Sequence, residues 1–148
     1  MTCQTGHCLC GAIRFTLKEA PTAYAACHCG MCRRWSGGVH FGLQVKPGGV
    51  EFDSDATLSV YQSSDWAERA FCSACGTHIF WRMTLEGPMQ GMMVMTPGAL
   101  DSMDGLALDS EIYIDHKPAG YAFAGDTKKM TEAELMEMIS AAGQGETE

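Results

Sequence analysis

The sequence predicts a mainly β domain of antiparallel strands, closed by one short C-terminal helix. Three observations carry that expectation: period-2 runs broken by turn residues from Ala12 to about Trp81, strong turn signals between and after them, and one stretch of helical spacing near the end. At 148 residues the chain has the length of one ordinary domain, and 46% hydrophobic with 19% charged side chains excludes a disordered or fibrous protein.

The strands are read in order as Ala12-Ile13-Arg14-Phe15-Thr16-Leu17, Val39-His40-Phe41-Gly42-Leu43, Leu58-Ser59-Val60-Tyr61 and His78-Ile79-Phe80-Trp81, each short and alternating. Pro47-Gly48-Gly49 predicts a turn between two of them, and Pro97-Gly98 another after the apolar run Met92-Met93-Val94-Met95. Met89, Met92, Met93 and Met95 suit a buried strand better than a soft-metal site. The helix begins with Thr131 and Glu134 as a capping box, and Met130 and Leu135 are spaced as a hydrophobic staple. Leu135, Met138, Ile139 and Ala142 share one face, Glu132, Glu134 and Glu137 form a solvated one, and Gly143 is placed to end the helix before a loose tail. Residues 1–125 are thus expected to form the β domain and 126–148 the helix and tail, with no repeat or linker to support further division.

Eighteen acidic against ten basic side chains give a net charge of −8, which repels phosphate backbones and anionic headgroups and argues against nucleic-acid or membrane partners. Residues 126–148 hold six acids and two lysines, and residues 1–125 twelve acids and eight bases, so each part carries −4. The chain lacks the roughly 20 apolar residues of a membrane helix and the layout of a signal peptide, so a cytoplasmic location is expected. There, eight cysteines point to metal ligation or thiol chemistry rather than disulfides.

Seven of the eight cysteines fall in close groups: Cys8-Leu9-Cys10, Cys27-His28-Cys29-Gly30-Met31-Cys32 and Cys72-Ser73-Ala74-Cys75-Gly76. A C-x-x-C turn lets two thiolates face one ion, and the glycine after Cys75 allows the tight backbone this requires. A C-x-C pair on an extended segment points both side chains to one side. The grouping suggests a closed, structural zinc site at Cys8, Cys10, Cys72 and Cys75. Cys27, Cys29 and Cys32 remain as three ligands on one loop, and three protein ligands leave a fourth tetrahedral position open, as in a catalytic zinc site. Other divisions fit the spacing as well, such as one site from Cys27, Cys29, Cys72 and Cys75. Cys3 stands apart as a free thiol, and His28, between two ligands, is expected to point away from the metal they share. His7, His40, His78 and His116 are scattered singly, which favours structural roles.

Three segments together resemble the glutathione-dependent formaldehyde-activating family: Gly6-His7-Cys8-Leu9-Cys10-Gly11-Ala12-Ile13-Arg14-Phe15, Cys27-His28-Cys29-Gly30-Met31-Cys32-Arg33-Arg34-Trp35-Ser36-Gly37 and Phe71-Cys72-Ser73-Ala74-Cys75-Gly76-Thr77. Glu111-Ile112-Tyr113-Ile114-Asp115 with Lys117-Pro118 matches downstream, so the resemblance covers roughly residues 3–125. It implies a zinc-bound β fold of the Mss4-like type, with a structural zinc at Cys8, Cys10, Cys72 and Cys75 and glutathione acting at Cys27, Cys29 and Cys32.

The reaction so implied is that of a carbon–sulfur lyase, in which zinc at Cys27, Cys29 and Cys32 holds a substrate thiolate that attacks a small aldehyde. With formaldehyde and glutathione the product is S-(hydroxymethyl)glutathione. Three thiolates give such a zinc site a net charge of −1 and a fourth −2, which nearby cations would offset. Arg33 and Arg34 follow Cys32 directly, and guanidinium forks suit the carboxylates of glutathione. Trp35 is expected to pack in the core. The alternative is a non-catalytic zinc module that binds a protein or peptide, since fold does not fix function. Methionine sulfoxide reduction on a related zinc fold needs a reactive cysteine late in the chain, and none follows Cys75.

Overall fold

A computed structural model describes residues 3–145, with side chains as far as residue 141. The chain is mainly β, as expected, and forms two compact units. One takes Leu43–Leu106 together with the chain up to Thr22. The other takes Ala23–Gly42 and the chain from Ala107 onward.

In the first unit, β1 (Gln4–His7), β2 (Arg14–Leu17) and β5 (Val50–Ser54) form an antiparallel sheet with β2 in the middle. A second antiparallel run joins Leu43–Val45 of β4 (His40–Val45) to β9 (Met93–Met95), then to β8 (His78–Met83), β7 (Ala67–Cys72) and the edge strand β6 (Leu58–Gln62). Alternation places Phe15 with Leu17 and Met93 with Met95 in the core, where Leu43, Ile79 and Phe80 are buried as well, so the methionine run serves as a buried strand. Phe52 bridges this core, with its ring 6.1 Å from that of Phe15 and 5.9 Å from that of Phe80. The Pro47 turn forms as expected, Gly49 N–H donating to Lys46 O at 2.9 Å, and Pro97–Ala99 makes a single 3₁₀ turn.

In the second unit, β3 (Ala23–Cys27) pairs antiparallel with His40–Gly42 of β4 on one side. On its other side it pairs in parallel with β10 (Ala107–Ile112), which in turn pairs in parallel with β11 (Lys128–Met130). These two parallel pairings stand among otherwise antiparallel ones, and the sequence did not single them out. They need long crossovers, which period-2 runs do not reveal.

A helix also forms where the sequence signalled none: α1 (Gly30–Ser36), one residue past β3 and its following histidine. Its seven residues are too few for helical periodicity to show. Its start is instead set by Cys29, in extended conformation, whose sulfur accepts from Cys32 N–H at 3.3 Å. Gly37, at φ +83, ends it and donates to Arg33 O.

The C-terminal helix is α2 (Glu132–Gly145). Its capping box closes in both directions at 3.2 Å, Thr131 N–H to Glu134 Oε1 and Glu134 N–H to Thr131 Oγ1. Leu135 and Ile139 are half-buried, but Met138 is 51% exposed and does not share their covered face. The helix runs through Gly143, which therefore does not end it, and the rest of the expected tail, residues 146–148, lies outside the described residues. No helix of the described residues is long and apolar enough to cross a membrane.

Candidate functional site

Among the described residues, three groups of potential ligands bring their donor atoms within 4.8 Å of one another. The first two are the cysteine sets that the sequence grouped.

Cys8 and Cys10 follow β1, while Cys72 ends β7 and Cys75 follows it. The Cys8 and Cys10 sulfurs are 3.6 Å apart, and those of Cys10 and Cys72 3.8 Å. A tetrahedron with metal–sulfur distances of about 2.3 Å has edges of about 3.8 Å, so the spacing suits one ion. Donors also converge on these sulfurs. Ile13 N–H points at Cys8 Sγ at 3.3 Å, the Thr57 hydroxyl lies 3.3 Å from Cys72 Sγ, and the Thr77 hydroxyl 3.2 Å from Cys75 Sγ. The Thr57 hydroxyl lowers the Cys72 thiol, while Thr77, through its hydroxyl and backbone N–H, brings Cys75 down to about 5. Both turns are hydrogen-bonded as tight knuckles, Gly11 N–H to Cys8 O at 3.0 Å and Gly76 N–H to Cys72 O at 2.7 Å. Gly76 takes the left-handed conformation, φ +81, that the glycine after Cys75 was expected to supply. Such an arrangement stabilises thiolates and can hold a metal ion.

The second group is built by one strand end and one helix start: β3 delivers Cys27, and α1 delivers Cys32 with Cys29 as its cap. Cys32 is buried, and Cys27 and Cys29 are half-buried. Hydrogen bonds from the Cys27 and Cys32 thiols, joined by the N–H groups of Cys32 and Met31, pull Cys29 far down, while the same sharing and burial push Cys27 up. Three sulfurs at this separation can also hold a metal ion, with no fourth cysteine among them. Arg33 and Arg34 extend from α1 as exposed side chains, and Trp35 is half-buried. Cys3 is exposed and belongs to neither group.

Two features beside the thiols gave no local signal in the sequence. Tyr113, directly after β10, is at φ 55 and ψ 44, the one non-glycine residue with positive φ among those described. Burial raises its hydroxyl, and the negative charge of Cys29, Glu132, Cys27 and Cys32 raises it further, which keeps it protonated close to the thiols. His28 turns away from the sulfurs, as strand alternation required, and is buried against Glu111, 83 residues away. Glu111 belongs to a segment that the family resemblance had picked out, but its partner could not be read there.

The third group, Asp115, His116 and Glu132, is exposed throughout. His116 Nε2 lies 2.9 Å from Glu132 Oε2, and Asp115 Oδ1 accepts from Glu132 N–H at 3.0 Å, so the trio ties the first turn of α2 to the segment after β10. His7 is likewise engaged structurally, 3.3 Å from Asp101.

The family model described as "Glutathione-dependent formaldehyde-activating enzyme" matches residues 3–116. An uncharacterized lyase of Schizosaccharomyces pombe is 31% identical over 136 residues, spanning 90% of this chain and 95% of that protein. A Penicillium rubens protein assigned by name to the glutathione-dependent formaldehyde-activating enzymes is 30% identical over 88 residues, 58% of this chain and 46% of its own length. Among solved structures, a Rhodobacter sphaeroides protein shares the fold with a TM-score of 0.55 at 20% identity, over 68% of this chain and 90% of that one.

Proposed function

The chain belongs to the glutathione-dependent formaldehyde-activating family, and on that premise we propose that it is a zinc-dependent carbon–sulfur lyase adding the thiol of glutathione to a small aldehyde. The observation that carries this reading is the convergence of Cys27, Cys29 and Cys32 from a single short segment, three thiols where a tetrahedral ion takes four ligands. Cys8, Cys10, Cys72 and Cys75 are assigned the structural zinc, because four protein thiols complete a tetrahedron. Zinc bound at the three-thiol site would supply the positive charge that keeps an incoming thiol ionised at neutral pH.

The chain's own residues then bind and orient. Arg33 and Arg34, exposed at the two positions after Cys32, are assigned to the carboxylates of glutathione, and their charge offsets the negative thiolate cluster. In the forward reaction the glutathione sulfur forms a bond to the aldehyde carbon, the carbonyl π pair moves to oxygen, and that oxygen takes a proton. The Tyr113 hydroxyl, on the left-handed residue directly after β10, is assigned as the source of that proton, to be replaced from water. With formaldehyde the product is S-(hydroxymethyl)glutathione, and the reverse step breaks the carbon–sulfur bond.

The test compares Cys29→Ala with Cys75→Ala. Cys29→Ala is expected to keep a wild-type far-ultraviolet circular dichroism spectrum and lose glutathione-dependent formaldehyde consumption, whereas Cys75→Ala is expected to unfold. Equal loss of folding in both variants would refute the division of roles. Full activity in folded Cys29→Ala would leave the three thiols without a catalytic part and favour a binding module.

A further inference from the structure

His28 lies between two of the three thiols, yet its ring belongs to a buried polar cluster on the other side of the backbone. Nε2 is 2.8 Å from Glu111 Oε1, and Nδ1 is 2.8 Å from the Tyr121 hydroxyl. The His28 and Glu111 side chains are 0% and 3% exposed. The second Glu111 oxygen accepts from the Thr127 hydroxyl and lies 3.8 Å from Lys129 Nζ. The His28 backbone is held as well, its N–H donating to Ile112 O at 3.1 Å. A carboxylate only accepts, so Nε2 carries the proton and donates it, and in the neutral ring Nδ1 accepts from Tyr121.

A residue fixed through both ring nitrogens and its own amide cannot turn without leaving buried polar groups unpaired. Its neighbours on each side, Cys27 and Cys29, inherit that orientation. Packing alone does not call for such a pair, because a hydrophobic residue fills a buried space at no desolvation cost, whereas a buried acid and imidazole must first be stripped of water. What the polar pair provides is direction. Its two ends come from β10 and from the residue following β3, so it ties the thiol-bearing segment to the strand paired alongside it.

We propose that the buried His28–Glu111 pair is the positioning device of the three-thiol site, fixing the backbone between Cys27 and Cys29 so that both sulfurs face one ion and one incoming thiol. His28 and Glu111 are positioning residues here and touch neither substrate nor metal. The metal part of this inference rests on the proposed function, and the anchoring part does not.

The experiment uses the full chain with Glu111→Gln and, as a harsher variant, Glu111→Ala. Zinc affinity is read at each site by chelator competition, using cobalt absorption to tell three-thiol from four-thiol ligation, and amide exchange is followed across residues 29–33. The expected result is roughly a tenfold loss of zinc affinity at the three-thiol site, an unchanged four-thiol site, and faster exchange at residues 29–33. Glu111→Gln retains an acceptor oxygen and should show a smaller effect than Glu111→Ala. Wild-type exchange together with wild-type affinity in both variants would overturn the proposal. Equal weakening of the two zinc sites would also overturn it, because that marks Glu111 as merely structural. If the wild-type chain takes zinc only at the four-thiol site while residues 29–33 exchange faster in the variants, the anchoring stands and the second metal of the proposed function falls.

Discussion

Gly76 and Gly30 pose the same substitution in two backbones, and the structure predicts opposite outcomes. A Cβ built on either glycine meets no atom within 4 Å, so neither change to alanine creates a clash. Gly76, however, is at φ +81, where an alanine pays about 1–2 kcal/mol of backbone strain. Reduced freedom of the unfolded chain returns about 0.5 kcal/mol. The net cost of Gly76→Ala is about 1 kcal/mol, roughly a fivefold fall in the folded-to-unfolded ratio. Gly30 opens α1 and has no positive φ, so Gly30→Ala carries only the gain, about 0.5–1 kcal/mol. Urea unfolding of the two variants under reducing conditions should therefore move their midpoints in opposite directions, separated by about 1.5–2 kcal/mol. Two shifts of the same sign, or a separation below about 0.5 kcal/mol, would refute the claim that left-handed backbone geometry is what the knuckle after Cys75 demands.

Further predictions follow from the caps and the buried acid. Thr131→Ala removes one half of the reciprocal capping box and should cost α2 about 1 kcal/mol, read as roughly fivefold faster exchange of the Ala133–Leu135 amides. Unchanged exchange there would mean that the box contributes nothing. Burial alone would raise the Glu111 carboxyl, but hydrogen bonds from Thr127 and His28, with the charge of Lys129, outweigh it and hold the group below its ordinary value. A lowered carboxyl adds stability that is complete above the ordinary range and is lost as pH falls through the folded value. The stability gap between wild type and Glu111→Gln should therefore narrow as pH drops from 7 through the carboxylate range, and a gap independent of pH would contradict the assignment.

Much of the cysteine clustering was legible because the spacing of the thiols is local. Cys8-x-Cys10 and Cys72-x-x-Cys75 each announce a turn, and the glycine after Cys75 announces its backbone conformation. The capping box of α2 could be read for the same reason, since its two hydrogen bonds join residues three apart. What escaped was long-range or unconventional. The parallel pairing of β10 with β3 joins segments some eighty residues apart, and no residue type marks it. A cysteine capping α1 lies outside the usual set of serine, threonine, aspartate and asparagine, so the short helix carrying Cys32 had no start signal. The left-handed Tyr113 was equally silent, because tyrosine has no intrinsic preference for that region and is held there by its surroundings.

The central claim is that two thiol clusters hold two zinc ions in different roles. Elemental analysis of zinc per chain, on protein purified without chelator and again after addition of glutathione, tests it most directly. The account predicts two zinc ions per chain, one of them sensitive to glutathione. A single zinc ion that stays single with glutathione present would contradict it.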